Sequence, residues 1–254
     1  FFLSSSIFLH ITLPIFLIAD NGNIILPDKI SQIFSEQTQD RINCMPATLI
    51  KENICGMKWV SVFPNNPQKL GIPNVSGIIV LSSTLNGHPV AIMDGTFITA
   101  LRTACIGAIA AKNLAKKDSK VYATIGSGEQ AKMHFMAIKS QIPSIKICKV
   151  ASLDYKNEMQ FINEMKKKYN DVEFISFDGN TDDVAKEADI IVTAVSCQKP
   201  LLKADSIKQG AFYCHVGGWE DEYEVPLKAN KIVCDMWESV KHRTQTISRI
   251  YKQG

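Results

Sequence analysis

Two basic residues and one glycine-rich turn carry the chemistry this sequence could do. Arg102 stands in Thr99-Ala100-Leu101-Arg102-Thr103-Ala104, inside an otherwise apolar helical run. A guanidinium near a core must be paired, because leaving it unpaired there is very costly. Its partner is either an internal carboxylate or a ligand. The parallel N–H fork of Arg suits the carboxylate of an amino or keto acid. Lys58 stands in Gly56-Met57-Lys58-Trp59-Val60, an apolar strand pattern. Buried, it would have a lowered pKa and could act as acid or base. At a strand edge it would snorkel to water instead.

Gly126-Ser127-Gly128-Glu129-Gln130-Ala131 fits G-x-G-x-x-A, directly after a strand pattern and at the opening of a helical one. In that context the first glycine permits a tight turn and the second lets the backbone approach a pyrophosphate. Ala131 allows close helix–strand packing. The helix N-terminus offers unpaired N–H groups and a positive dipole end to the phosphates. The rival reading is a plain strand–helix turn. An acidic residue should end the second strand and bind the adenosine ribose hydroxyls. Asp154 is the candidate, 28 residues after Gly126 rather than the usual ~20. It favours NAD over NADP, while Lys149 or Lys156 could instead meet a 2′-phosphate. Thr193, Ala194 and Val195 end the fourth strand, beside the expected cofactor crevice.

The elements that must position these residues alternate between strand and helix after Lys120. Strands are expected at Val121–Ile125, Ile145–Leu153, Val172–Phe177, Ile190–Ala194, Phe212–Val216 and Ile232–Cys234. Helices are expected at Gln130–Lys139, Asn157–Lys168 and Asp182–Glu187. This alternation predicts an α/β fold with a doubly wound parallel sheet of the Rossmann kind. The first half reads as β-rich, with runs at Met57–Val62, Gly77–Leu81 and Val90–Met93. Asn86-Gly87 marks a hairpin between the last two, and Pro64, Pro67 and Pro73 mark a loop between the first two. A long Ala-rich helix is expected over Ile98–Lys116.

The bulk properties exclude several classes. The chain has 254 residues, 46% hydrophobic and 21% charged, as ordinary globular proteins do. A net charge of +3, evenly spread, does not argue for nucleic acid. Lys166-Lys167-Lys168 reads as a solvated helix end. Seven widely spaced cysteines without C-x-x-C read as a reduced, cytoplasmic chain, and no zinc spacing is present. The uncharged run Phe1–Ala19 is interrupted by polar residues and Pro14, so it reads neither as a signal peptide nor as a membrane helix. The acidic segment Gly217-Gly218-Trp219-Glu220-Asp221-Glu222-Tyr223-Glu224 could recognise a substrate amine, but a solvated loop is preferred. His242 could serve as acid or base or simply cover a helix surface.

Several motifs occur together in one order: Met45-Pro46-Ala47, Gly56-Met57-Lys58-Trp59-Val60, Phe63-Pro64-Asn65-Asn66-Pro67, Thr99 to Ala104, Gly126 to Ala131 and Ala188-Asp189-Ile190-Ile191-Val192-Thr193-Ala194. In this the sequence resembles the ornithine cyclodeaminase/μ-crystallin family over roughly residues 23–254. The resemblance implies a homodimer with NAD(P) in its second domain. Residues 1–117 would form an α+β substrate-binding and dimerisation domain, 118–235 the Rossmann domain, and 236–254 a helix returning towards the first domain. It implies action on α-amino or α-imino acids, by hydride transfer at the α-carbon. The alternatives are a deaminating lyase that turns ornithine into proline and ammonia with catalytic NAD, and a non-catalytic nucleotide or ligand binder. By the same resemblance Arg102 and Lys58 would hold the substrate carboxylate. Lys29 would replace a family Arg, keeping its charge but losing the bidentate fork. Glu129, Gln130 and Asp154 would line the cofactor. The family's cyclodeaminases carry an Asp just after the fourth strand, where this chain reads Ala194-Val195-Ser196-Cys197-Gln198-Lys199, which favours the oxidoreductase. An acidic site residue that the resemblance places further on is absent, so the C-terminus is expected to be incomplete.

Overall fold

The computed structural model of the protein describes residues 22–254. The apolar run Phe1–Ala19 lies outside the described residues. The chain divides into one compact unit ending at Arg102 and a second spanning Thr103–Gly254.

The first unit is built on an antiparallel sheet. Its strands are β1 (Ile24–Ile25), β2 (Ile30–Ser35), β3 (Asp40–Leu49), β4 (Ile54–Val62), β5 (Val75–Ser83) and β6 (Pro89–Asp94), with a short helix α1 (Asn66–Leu70) between β4 and β5. The order is β1-β3-β4-β5-β6, and β2 also pairs with β3. The hairpin at Asn86-Gly87 forms as expected: Gly87 takes φ 75° and its amide donates to the Ser83 carbonyl at 2.9 Å. Strand β3 was not expected, and Pro46 stands in its middle. Pro46 falls in the gap between the stretch paired by β2 (Asp40 to Cys44) and that paired by β1 (Thr48, Leu49). A residue with no N–H is tolerated there.

Strand alternation sorts the sheet into two faces. Asn43 and Val60 are register partners and both are buried, so their face is the covered one. Lys58, two residues from Val60, shares it with its partners Met45 and Ile79. The opposite face carries Ile30, Trp59, Ile78 and Ile92, of which Ile30, Ile78 and Ile92 are exposed.

Helix α2 (Thr96–Leu114) follows β6 and contains the boundary between the units. Asp94 starts it, accepting hydrogen bonds from the Thr96 amide at 2.8 Å and the Thr96 hydroxyl at 3.2 Å. The helix begins two residues before the expected Ile98 as a result. It buries the row Ala100, Ala104, Ala108 and Ala111. Such small side chains permit close packing: a methyl group on Gly107 would come within 2.8 Å of the His134 ring.

The second unit is the expected doubly wound sheet. In chain order it contains β7 (Val121–Ile125), α3 (Glu129–Gln141), β8 (Ile147–Ala151), α4 (Tyr155–Lys166), β9 (Glu173–Ser176), α5 (Thr181–Val184), β10 (Ile190–Thr193), β11 (Gln198–Leu202), β12 (Phe212–His215), β13 (Trp219–Asp221), α6 (Glu224–Leu227), α7 (Trp237–Val240) and α8 (Thr246–Gln253). Strands run in the order β12-β10-β7-β8-β9 and all pair in parallel. Renumbered within the unit this is 3-2-1-4-5, so the chain direction reverses between β7 and β10, where such folds bind nucleotides. Both faces are covered. Phe135 packs edge-on against Tyr122, Phe161, Tyr169 and Phe174 on one side. Ala123, Ile125, Ile191, Val184 and Leu202 form the core of the other.

One expected strand does not form. Ile232–Cys234 is irregular, and Ile232 and Val233 are exposed. A β-branched run without a neighbouring strand has nothing to satisfy its backbone, so propensity alone does not make it a strand.

Candidate functional site

The glycine turn is organised by the ends of three strands. Gly126 has φ +107°, a left-handed value that favours glycine, and its amide donates to the Ala151 carbonyl of β8 at 2.8 Å. A methyl group there would lie 2.5 Å from the Ala194 oxygen, just past β10. Gly126 thus closes the sheet at its point of reversal, and no other residue fits. Gly128 differs: it is exposed, and a methyl group would meet nothing within 4 Å. It is the N-cap of α3, and no side chain caps that helix. The amides of the first turn, with Glu129 and Gln130 beside them, face an open cradle with the positive end of the helix dipole behind it. That arrangement fits a dinucleotide's pyrophosphate.

The segment past β8 carries the residue expected to meet the adenosine ribose. Asp154 is exposed and is the N-cap of α4; its carboxylate accepts from the Lys156 amide at 2.9 Å and the Asn157 side chain at 3.1 Å. A capping role therefore accounts for part of its hydrogen-bonding capacity. Lys149 reaches the Lys186 carbonyl at 2.7 Å. Ser127 in the glycine turn joins Ser152 at 2.9 Å. Glu158 was missed from the sequence. Fully buried, its carboxylate accepts from the amides of Ser152, Phe177, Asp178 and Gly179 and from the Ser176 hydroxyl. It ties the segments leaving β8 and β9 to α4. The available signal was an acid on the apolar stripe of that helix, four residues before Ile162.

The segments past β10 and β12 carry the other candidate residues. Thr193 is buried, and its hydroxyl donates to Glu220 at 2.8 Å and meets the Tyr213 hydroxyl at 2.9 Å. Glu220 also accepts from the Val195 amide at 2.7 Å and the Gly217 amide at 2.8 Å. The acidic segment is therefore not a solvated loop at these positions: Glu220 and Asp221 are both buried. Burial raises the Asp221 carboxyl above its ordinary range, and the neighbouring His215 works against that. His242 is exposed.

In the first unit, the sheet and the first turns of α2 bring Lys58 and Arg102 within electrostatic reach. Burial first, and the charge of Arg102 second, bring the Lys58 amine down to about 8. Lys58 is half-buried, neither snorkelling freely nor sealed in the core. Lys29 immediately precedes Ile30, whose partner Cys44 neighbours Met45, the partner of Lys58. Among the described residues no group of His, Cys, Asp and Glu forms a metal site.

Residues 16–243 match the model of the ornithine cyclodeaminase/mu-crystallin family. The chain belongs to this family. Within the ornithine cyclodeaminase/mu-crystallin family, it is 33% identical over 225 residues to the alanine dehydrogenase of Archaeoglobus fulgidus, covering 87% of this chain and 66% of that protein. It is 28% identical over 218 residues to the N-((2S)-2-amino-2-carboxyethyl)-L-glutamate dehydrogenase of Staphylococcus aureus, covering 85% of this chain and 64% of that one. The chain thus spans slightly under two thirds of the length of these family members. The Δ1-pyrroline-2-carboxylate reductase of Thermococcus litoralis, solved with NADH and L-proline, aligns with a TM-score of 0.92 at 30% identity, over 99% of this chain and 78% of that one. An archaeal alanine dehydrogenase dimer with bound NAD aligns with a TM-score of 0.84 at 28% identity, over 99% of this chain and 76% of that one.

Proposed function

We propose that this protein is an NAD(P)-dependent oxidoreductase that transfers hydride at the α-carbon of an amino or imino acid. The observation that carries the proposal is the Lys58–Arg102 pair, set in a chain whose second unit has an uncapped helix N-terminus behind Gly126 and Gly128. The NADH, NAD and L-proline in the two solved relatives support it.

When bound, the nicotinamide supplies a two-electron hydride carrier. The chain does the rest. The amides of Glu129 and Gln130 hold the pyrophosphate, and Asp154 accepts from the adenosine ribose, which favours NAD over NADP. Thr193, Ala194 and Val195 border the other half. Arg102 holds the substrate carboxylate through its fork, and Lys29 adds positive charge. Lys58, with a pKa of about 8, contributes charge to the same carboxylate when protonated and can exchange a proton with the substrate nitrogen near neutrality.

The protein acts as a homodimer in this reading. The support is the apolar outer face of the first unit's sheet, with Ile30, Ile78 and Ile92 exposed, which a second copy would cover. Sedimentation of a monomer at micromolar concentration would count against it. A cytoplasmic setting fits seven free cysteines.

The test is an NMR assay with L-ornithine and a trace of NAD. The proposal expects no proline beyond the cofactor supplied. Proline and ammonia far in excess of NAD would make the protein a cyclodeaminase instead.

A further inference from the structure

Glu220, His215 and Asp221 form a buried charged cluster that the reaction outlined above does not use. Glu220 is fully buried, Asp221 is 2% exposed, and the His215 ring lies between them. Its Nε2 is 2.6 Å from the Gly218 carbonyl and 3.3 Å from Glu220, and its Nδ1 is 3.2 Å from Asp221. Asp221 also accepts from the Thr246 hydroxyl at 2.5 Å. Both ring nitrogens face oxygen atoms. Two carboxylates stand against one imidazole, so the cluster is negative overall by formal charge. The Glu220 carboxylate in it is held by donors from Thr193, Val195 and Gly217. Its field already reaches Cys214 within β12 and Cys197 past β10: burial first, and Glu220 in part, push both thiols up.

This charge sits at the carboxyl ends of β10 and β12. With the pyrophosphate on the glycine turn after β7 and the adenosine half over β8, the nicotinamide half belongs on this side of the sheet. The ring carries a positive charge only when oxidised. We infer that Glu220 sets a preference for the oxidised cofactor, so that the site holds NAD⁺ more tightly than NADH. The inference rests on the proposed NAD site and deepens it. Here Glu220 acts by its charge on the bound ring, and its hydrogen bonds keep that charge in place.

The test is calorimetric titration of the wild-type protein, Glu220→Gln and Glu220→Asp with NAD⁺, NADH and ADP-ribose. ADP-ribose lacks the ring and reports the intact adenosine half. Wild type should bind NAD⁺ more tightly than NADH. Glu220→Gln should lower the ratio of the two affinities on the order of tenfold, about what one screened unit charge contributes. ADP-ribose affinity should not change, and Glu220→Asp should keep the preference. Equal losses for all three ligands would reduce Glu220 to a structural role and overturn the inference. If Glu220→Gln loses ADP-ribose binding through misfolding, the wild-type ratio decides: NADH bound as tightly as NAD⁺ or more so overturns it. A wild type that binds none of the three sinks the NAD site itself.

Discussion

The guanidinium of Arg102 acts on the ammonium of Lys58: its charge adds to burial in bringing that amine down to about 8. A like charge nearby and partial removal from water both make the protonated amine of Lys58 less favourable. The cost has a pH signature. Below about pH 8 Lys58 is protonated in both folded and unfolded states, and the full penalty is present. Between about 8 and the ordinary 10.5 the unfolded chain binds more protons than the folded one, so stability attributable to this group rises with pH. Lys58→Met should therefore melt higher than wild type at pH 7, and the difference should shrink between pH 8 and 10.5. Melting curves across that range check it, and a difference that stays constant with pH would contradict the assignment.

Arg102→Ala should raise KM for a carboxylate substrate by a factor of ~10 or more, since hydrogen bonds to charged groups contribute ~1.5–3 kcal/mol. Arg102→Lys keeps the charge without the fork and should fall in between. Steady-state kinetics with each variant read this directly. An unchanged KM in the alanine variant would remove Arg102 from the substrate site.

The two glycines of the turn should respond differently. Gly126→Ala combines a positive φ with a methyl group 2.5 Å from the Ala194 oxygen, so it should destabilise the second unit and abolish cofactor binding together. Gly128→Ala meets nothing within 4 Å and has an ordinary φ of −76°, so the protein should melt as wild type does. Its methyl group would still occupy the space a pyrophosphate approaches, weakening NADH binding ~10-fold or more. Thermal melts paired with NADH titration separate the two outcomes. A Gly128→Ala protein that binds NADH normally would remove the cradle.

Asp154→Ala should do two things. Loss of the cap on α4 should cost about 1 kcal/mol of stability. NADH affinity should fall more than NADPH affinity, because the lost carboxylate bonds the ribose hydroxyls and repels a 2′-phosphate. A larger loss for NADPH would reverse the cofactor preference.

The parts of the fold legible in the sequence are those with local causes. Gly126 to Ala131 could be read because a turn, a helix start and a phosphate cradle are all made by neighbouring residues. The run at Ile190 was legible because a strand covered on both faces needs an unbroken apolar stretch. What was missed depends on partners distant in the chain. Strand β3 is possible because β1 and β2 leave Pro46 unpaired on that side, which no local pattern reveals. Ile232–Cys234 has strand propensity but no strand to join. Glu220 looked like part of a solvated acidic loop because its donors at Thr193 and Val195 lie more than twenty residues away. Lys58 and Arg102 were each ambiguous alone; the charge of one on the other is a fact of the folded first unit.

The central claim is hydride transfer at a substrate α-carbon, and deuterium tests it most directly. The protein would be incubated with NADH deuterated at C4 of the nicotinamide, on each face in turn, together with pyrroline-2-carboxylate or with pyruvate and ammonia. Mass spectrometry and NMR would then locate the label. The account predicts one deuterium at the α-carbon of the amino-acid product, from one face only, in step with the NAD⁺ formed. Amino acid formed without the label, or with no consumption of NADH, would contradict it.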